Sequence, residues 1–308
     1  MRKIFTIGET VYDIIFKSGK PVSSTPGGSM LNTSVSLGRL GLPVSFISEI
    51  GKDNIGNMII HFLEQNKVST HLVDRFSDGR TALAIAFLDK NNNADYTFYK
   101  LYPPERFKID MPIIRKNDIL LFGSFFSISK EVREQFIKII KTAKENRAIC
   151  IYDPNFRKPH LKELPEVKRY IDENISFADI VRGSNEDFEL ILGTKNADDA
   201  FNVINKIGCP VLIYTSSDKS VELRSNALRL SVPVPGIELI STIGAGDTFN
   251  SGLIYKLIKN GIDKSSITAI NADNWRDVIN TANRFASEVC QSYDNFISEK
   301  TAHRYHIA

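Results

Sequence analysis

Short runs of apolar residues recur along the chain; they are rich in β-branched or aromatic side chains and end in Gly, Asp, Asn or Ser. Runs without polar alternation are typical of strands that are covered on both faces of a sheet. The pattern predicts strands over residues 3–8, 44–50, 119–123, 148–152, 179–181 and 211–215.

Longer segments with an apolar stripe at helical spacing lie between these runs. In residues 130–146 the stripe includes Val132, Phe136 and Ile140, and Ser129 precedes it as a candidate N-cap. Similar stripes predict helices over residues 31–40, 55–66, 197–207, 248–259 and 277–290. Strands that alternate with helices predict an α/β fold with a doubly wound, mostly parallel sheet flanked by helices.

Two segments, residues 11–22 and 81–99, break this alternation because each has a strand pattern and no helix follows within it. In the second, Ala82, Ala84 and Ala86 alternate with larger apolar residues, and the polar turn 89–94 predicts a hairpin. We expect these strands to form a small β lid on one domain that spans residues 1–308. Residues after 295 carry only weak structure signals.

Composition narrows the possible partners and compartments. The chain has 308 residues, of which 42% are hydrophobic, and 39 basic against 36 acidic residues give a net charge of +3. So small a charge argues against a nucleic-acid or acidic-membrane partner. Cys150, Cys209 and Cys290 form no CxxC pair, which predicts reduced thiols and a cytoplasmic location. The N-terminus does not resemble a signal peptide, and no apolar run is long enough to span a bilayer.

The segment with the clearest chemistry is Gly244-Ala245-Gly246-Asp247, which runs into a predicted helix. Small residues at a helix N-terminus let an anion approach unpaired backbone N–H groups. A neighbouring carboxylate can accept a proton from an attacking alcohol. The same residues would also suit a tight turn with Asp247 complementing the helix dipole, and the pattern alone leaves both interpretations open.

Other phosphate-binding motifs are missing, since the chain has neither GxxxxGK[ST] nor a GxGxxG after its first strand. Two further segments can carry polar contacts to a ligand. Gly27 and Gly28 open a predicted helix that places Asn32 about one turn in, where its amide can bond neighbouring hydroxyls. Asp153-Pro-Asn-Phe-Arg157 follows a predicted buried strand, at the end where open α/β sheets bind ligands.

Taken in order, the motifs resemble those of the ribokinase-like (pfkB) carbohydrate kinases, and most closely the fructokinase and 2-keto-3-deoxygluconate kinase branch. The matching segments are Gly8-Glu9 with Asp13, the Gly27-Gly28 pair, residues 51–56, residues 153–157, residues 244–247 and Ala282-Asn283. The resemblance covers nearly the whole chain. It implies an α/β body with a β lid, and transfer of the ATP γ-phosphate to a sugar hydroxyl with Mg²⁺.

The resemblance also implies roles for individual residues. Asp247 would be the general base, and Gly244, Ala245 and Gly246 the anion hole. The substrate would be bound by Asp13, Gly27, Gly28, Asn32, Asn155 and Arg157, with Tyr96 and Phe98 contributed by the lid. The nucleotide would be bound by Ser184, Thr215, Ser217 and Asn283. Glu186 and Asp187 would approach the metal through water.

The sequence departs from the family pattern at positions expected to bind the monovalent cation, the metal and the nucleotide. Ser241 stands where the family usually has an Asp of the monovalent-cation loop, which argues against potassium activation. The usual Asn-x-x-Glu reads Ser184-Asn-Glu-Asp187, so either Ser184 and Asp187 or the central pair are the equivalents. Residues 215–220 lack the glycines of the usual nucleotide loop.

Three functional hypotheses follow from the sequence. The leading one is an ATP-dependent sugar kinase, with fructose first and 2-keto-3-deoxygluconate or ribose next. A sugar-responsive regulator without catalysis is the second, and a nicotinamide-dependent dehydrogenase the third. The partners would be a small sugar and ATP, with no nucleic acid and no membrane. Exposed lid strands predict a homodimer that forms through the lid.

Overall fold

The computed structural model describes residues 1–89, 94–217 and 219–307, and its elements alternate between strands and helices as the pattern predicts. The strands are β1 Ile4–Ile7, β2 Val11–Lys17, β3 Lys20–Gly27, β4 Val44–Gly51, β5 Ser69–Phe76, β6 Arg80–Leu88, β7 Ala94–Leu101, β8 Ile119–Gly123, β9 Ile149–Asp153, β10 Ile180–Ser184, β11 Val211–Ser216, β12 Ser220–Ser225 and β13 Arg229–Pro233. The helices are α1 Ser29–Arg39, α2 Asn54–Gln65, α3 Arg133–Glu145, α4 Leu164–Phe177, α5 Asn185–Leu192, α6 Ala197–Ile207, α7 Ala245–Lys259, α8 Ala272–Val289 and α9 Glu299–Tyr305.

The larger sheet has nine strands in the order β13-β12-β11-β10-β9-β8-β1-β4-β5. Strands β5, β4, β1, β8, β9, β10 and β11 pair in parallel, whereas β12 runs antiparallel to both of its neighbours. Parallel strands aim their carboxyl ends at the same edge, so loops that are distant in sequence meet there. The predicted doubly wound sheet is confirmed.

Each face of this sheet supports its own apolar core. In β9, Ile149 and Ile151 join a core that includes α7 and α8, while Cys150 and Tyr152 join a second core with α3. All four side chains are at most 1% exposed. Burial on both faces explains why the strands are uninterrupted apolar runs, since every position removes apolar surface from water.

The smaller sheet, called the lid sheet below, has the order β3-β2-β6-β7. It is built from the two segments that broke the alternation, although the first is a hairpin that continues to Gly27. Ser18 and Gly19 both have positive φ, as a two-residue hairpin turn requires, so β3 starts at once at Lys20. Residues 90–93 of the predicted turn lie outside the described residues.

Some predicted boundaries differ from the structure. Helix α3 begins at Arg133 after a turn, and Ser129 donates to the Glu131 carboxylate, so Ser129 is not its N-cap. The sequence gives only weak structure signals after residue 295, but the structure has helix α9 there. The ring of Tyr305 in α9 packs edge-on against Phe285. In the part of the chain that the structure describes, no helix is long and apolar enough to cross a membrane.

Candidate active site

The N-termini of α1 and α7 meet at the carboxylate of Asp247. Ser29 donates its hydroxyl to Oδ1 at 2.5 Å, and Asn32 donates its amide to Oδ2 at 2.9 Å. The Thr33 hydroxyl donates to the backbone carbonyl of Asp247 at 2.9 Å. The side chain is therefore fixed in orientation by a helix more than 200 residues distant in sequence. Oδ1 of Asn32 is buried and has no hydrogen-bond partner among the described residues.

The backbone at residues 244–247 turns into α7. Gly244 caps α7 with a φ of 78°, and a Cβ there would lie 2.5 Å from the Asn295 carbonyl oxygen. The Ala245 N–H donates to the Thr242 carbonyl at 3.3 Å. Within the described residues, the N–H groups of Gly246 and Asp247 have no backbone acceptor, so these two amides are available to an anion.

Burial, hydrogen bonds and neighbouring charges all shift the pKa of Asp247. Burial raises the pKa of Asp247, and the hydrogen bonds from Ser29 and Asn32 partly counter it. The charge of Asp153 raises this pKa further, and the exposed Arg157 lowers it. A carboxylate with a raised pKa is a stronger proton acceptor, which suits it to general base catalysis.

A second carboxylate, Asp13 of β2, lies over the backbone of Gly27. A Cβ on Gly27 would lie 1.9 Å from Oδ2 of Asp13, so only glycine allows this approach. Burial raises the pKa of Asp13 from 3.8 to about 6. Its hydrogen-bonding capacity is unused, since no residue in the described ranges donates to it. Gly28, with a φ of 136°, then turns the chain into α1.

The lid sheet adds aromatic side chains on the face of Asp13. Asp13 pairs with Ala84, which pairs with Phe98, so the three side chains share one face. Tyr96, two residues from Phe98, stacks on it with ring centroids 6.1 Å apart. Burial and the charge of Asp13 raise the pKa of Tyr96. The alanines of β6 on this face are buried, with Ala84 1% exposed, whereas the rings of Tyr96 and Phe98 are about half exposed.

The 153–157 segment contributes a buried ion pair and exposed polar groups. Asp153 accepts from Arg182 at 3.0 Å and from the Asn250 amide at 2.6 Å through the same Oδ2. Asn155 has a φ of 40° and donates to the Ser124 hydroxyl at 3.3 Å. Arg157 is exposed and close enough to Asp247 to affect its pKa.

The residues predicted to bind nucleotide lie in two places. Ser184 and Thr215 are neighbours in register at the carboxyl ends of β10 and β11, and the exposed Ser217 follows with a φ of 37°. Asn283 is 3% exposed on α8 and donates to the Pro233 carbonyl at 3.4 Å, at the end of β13. Asp218, in the predicted nucleotide loop, lies outside the described residues.

The two predicted metal carboxylates differ in availability. Asp187 and Ser184 form a capping box at α5, and the other Asp187 oxygen accepts from the Phe156 N–H at 2.7 Å. Glu186 is exposed in the first turn of α5. Among the described residues, no three His, Cys, Asp or Glu side chains are grouped to hold a metal.

Several residues at the site had no role in the sequence-based assignment, among them Ser29, Arg182 and Asn250. Ser29 directly follows the Gly27-Gly28 pair, and that position at the start of the predicted helix was an available signal. Arg182 lies within a strand and Asn250 within a helix, and each bonds Asp153 across at least 29 residues of sequence. The local sequence pattern cannot predict contacts between residues so far apart in the chain.

Comparisons with known proteins agree on one family. The model of the pfkB family carbohydrate kinases matches residues 1–301. The probable fructokinase-4 of Arabidopsis thaliana is 28% identical over 241 residues, which is 76% of this chain and 73% of that one. Fructokinase-1 of Zea mays is 26% identical over 265 residues, covering 84% and 80%.

Solved structures share the fold at lower identity. Fructokinase from Vibrio cholerae O395, in its fructose, ADP and calcium ion bound form, has a TM-score of 0.85 at 21% identity over 99% of both chains. Aminoimidazole riboside kinase from Salmonella enterica, complexed with aminoimidazole riboside and an ATP analogue, has a TM-score of 0.82 at 20% identity over 98% of this chain and 99% of that one.

Proposed function

Because the chain belongs to the pfkB family of carbohydrate kinases, we propose that it transfers the γ-phosphate of ATP to a hydroxyl of a small sugar, with fructose as the first candidate. The observation that carries the proposal is the Asp247 carboxylate beside the free Gly246 and Asp247 amides. This arrangement supports the proposal, because phosphoryl transfer uses a proton acceptor and donors that stabilise anionic charge.

The sugar would lie between the lid sheet and α1. The unpartnered Oδ1 of Asn32 and the carboxylate of Asp13 would each accept a hydrogen bond from a sugar hydroxyl. Tyr96 and Phe98 would cover the apolar face of the ring. Gly27 and Gly28 would shape the substrate site through the backbone, because Gly27 leaves space for the Asp13 carboxylate and Gly28 turns the chain into α1. Closing the lid over the sugar would exclude water that could otherwise receive the phosphoryl group.

In the reaction Asp247 would take the proton of the attacking hydroxyl, which then attacks the γ-phosphorus of ATP. The bond from that phosphorus to the bridging oxygen breaks, and ADP leaves. The Gly246 and Asp247 amides would stabilise charge on the transferred group, with Arg157 approaching it from solvent. Ser184, Thr215, Ser217 and Asn283 are proposed to line the nucleotide pocket within one domain of residues 1–308.

The metal would be Mg²⁺, which usually keeps several waters and binds through substrate phosphates with one or two carboxylates. Glu186 fits that role because it is exposed, whereas both oxygens of Asp187 already accept protein donors. Mg²⁺ supplies charge neutralisation of the phosphates. Near the predicted cation loop, the Cys290 carbonyl already accepts the N–H groups of Ile240 and Ser241, so we propose activity without potassium.

Fructose is favoured because the relatives compared with this chain are fructokinases at 26–28% identity. The experiment is an ADP-release assay with Mg-ATP over fructose, 2-keto-3-deoxygluconate, ribose and aminoimidazole riboside, with and without potassium. Fructose should give the highest kcat/KM. A higher kcat/KM with any other sugar would overturn the substrate assignment, and no ADP release with any sugar would favour the regulator.

We also propose that a second copy of the chain covers the lid sheet. Its large apolar side chains are exposed, including Phe87 at 49%, Tyr99 at 57% and Leu101 at 61%. Edge strands β3 and β7 each have one side without a strand partner in the described sheet. Sedimentation should give a dimer that Leu101→Lys dissociates, whereas a wild-type monomer at assay concentration would contradict this.

A further inference from the structure

Arg182 is a buried cation directly beneath the anion-binding turn. It lies in β10 and is 8% exposed. A Cβ built on Gly246 would be 2.7 Å from its Nη1, so the guanidinium packs against the backbone that begins α7. Its Cζ also lies 5.1 Å from the centre of the Phe249 ring in the same helix.

The hydrogen bonds of Arg182 connect two parts of the site. Nη1 donates to Asp153 at 3.0 Å, and Nη2 donates to the Thr215 hydroxyl at 3.2 Å. Asp153 is itself only 1% exposed. One guanidinium therefore joins the 153–157 segment, the end of the predicted nucleotide strand and the first turn of α7.

The charges around Arg182 are mainly negative. Asp153, Asp187 and Asp247 are close enough that the charge of Asp153 acts on both of the others. Arg182 lowers the pKa of Asp187, whereas the cation that lowers the pKa of Asp247 is the exposed Arg157. Without Arg182, a buried and uncompensated Asp153 carboxylate would face a turn that has to accept an anionic phosphoryl group, and a buried unpaired charge is strongly unfavourable.

We propose that Arg182 is a positioning residue for phosphoryl transfer: it holds and neutralises Asp153, so that this buried carboxylate does not repel the nucleotide phosphates at the first turn of α7. Arg182 touches neither sugar nor phosphate in this role, and acts through Asp153 and the Gly246 backbone. The inference rests on the proposed ATP-dependent reaction, but it also predicts a binding property that needs no turnover.

The test is a double-mutant cycle of Arg182→Met, Asp153→Asn and the double variant. Arg182→Met should lower kcat/KM for ATP on the order of 10²-fold, with the KM for sugar changed less than threefold. The double variant should recover at least tenfold of that loss, because the asparagine side chain that replaces Asp153 carries no charge to repel phosphate. Arg182→Lys should keep most of the activity, since it keeps the charge.

Arg133→Met is the matched control, because Arg133 is also 8% exposed and ion-paired, to Glu173, but lies in α3 and bonds neither Asp153 nor Thr215 in the part of the chain that the structure describes. Its kinetic constants in the folded fraction should equal those of the wild type. Circular dichroism would establish that each variant folds. If Arg182→Met does not fold, Arg182→Lys and the double variant still test the inference.

Binding of a non-hydrolysable ATP analogue separates this inference from the proposed function. Arg182→Met should weaken binding at least tenfold, and the double variant should restore it. If the wild type binds the analogue but phosphorylates no sugar, the proposed function fails, and the binding cycle still decides the role of Arg182. A double variant that binds or reacts no better than Arg182→Met would overturn the inference.

Discussion

Replacing Asp13 with Asn should stabilise the folded protein at neutral and alkaline pH. The Asp13 carboxyl has a pKa raised from 3.8 to about 6 by burial, and it gains no donor from the described residues in return. Each tenfold shift in a protonation equilibrium corresponds to about 1.4 kcal/mol, so ionised Asp13 costs the fold about 3 kcal/mol at pH 8. Asn has nearly the same shape and does not ionise.

The pH dependence gives this prediction its direction. A folded-state pKa above the unfolded value means that the folded protein binds more protons between about pH 4 and 6. The wild type therefore loses stability relative to Asp13→Asn as pH rises from about 4 to about 6, and the difference stays constant above that range. The difference in unfolding free energy between Asp13→Asn and the wild type should be largest at pH 8 and shrink toward zero as pH falls to about 4.

Urea unfolding of both proteins at pH 4.5, 6 and 8 measures the difference, and Asp110→Asn at an exposed aspartate is the control, with no expected change. Asp13→Asn should also raise the KM for sugar on the order of 10-fold or more, because a hydrogen bond between the sugar and a charged group is lost. A variant less stable than wild type at pH 8, or a gain independent of pH, would refute the reasoning.

Two further substitutions test the support of the site. Ser29→Ala removes a donor to ionised Asp247, so the acid limb of the kcat/KM profile should move to higher pH, and an unchanged profile would contradict that contact. Gly252→Ala places a methyl group 2.7 Å from the Ala282 Cα, where α7 packs on α8. It should lower the free energy of unfolding by about 1–3 kcal/mol, measured by thermal unfolding. An unchanged Tm would contradict the tight packing of these two helices.

Six of the seven parallel strands could be predicted because they are apolar runs that local pattern makes visible, whereas β5 was missed because His71, Asp74 and Arg75 interrupt its apolar residues. Helix α6 was predicted with both boundaries correct, since Asn196 caps it through the Asp199 N–H and Gly208 ends it. Helix α5 was missed: it has only 8 residues, and its capping box occupied the motif assigned to nucleotide and metal. Ser184 and Asp187 bond each other there, so their proposed ligand roles remain predictions.

The site could be predicted only as separate motifs. Glycine turns and a helix-terminal aspartate are local signals, and they led to Asp247, Gly28 and Asn32. The contacts that join the motifs are not local: Ser29 bonds Asp247 across 218 residues, and Arg182 reaches Thr215 across 33. Such contacts depend on strand order and helix placement, which no single segment contains.

Asp247→Asn tests the central claim most directly. Asn keeps the size of the side chain and cannot accept the hydroxyl proton as a base. With a sugar that the wild type phosphorylates, the variant should bind that sugar with affinity within a few-fold of wild type by calorimetry, while kcat falls on the order of 10²–10⁴-fold. A kcat within a few-fold of wild type would contradict the assignment of Asp247 as the general base.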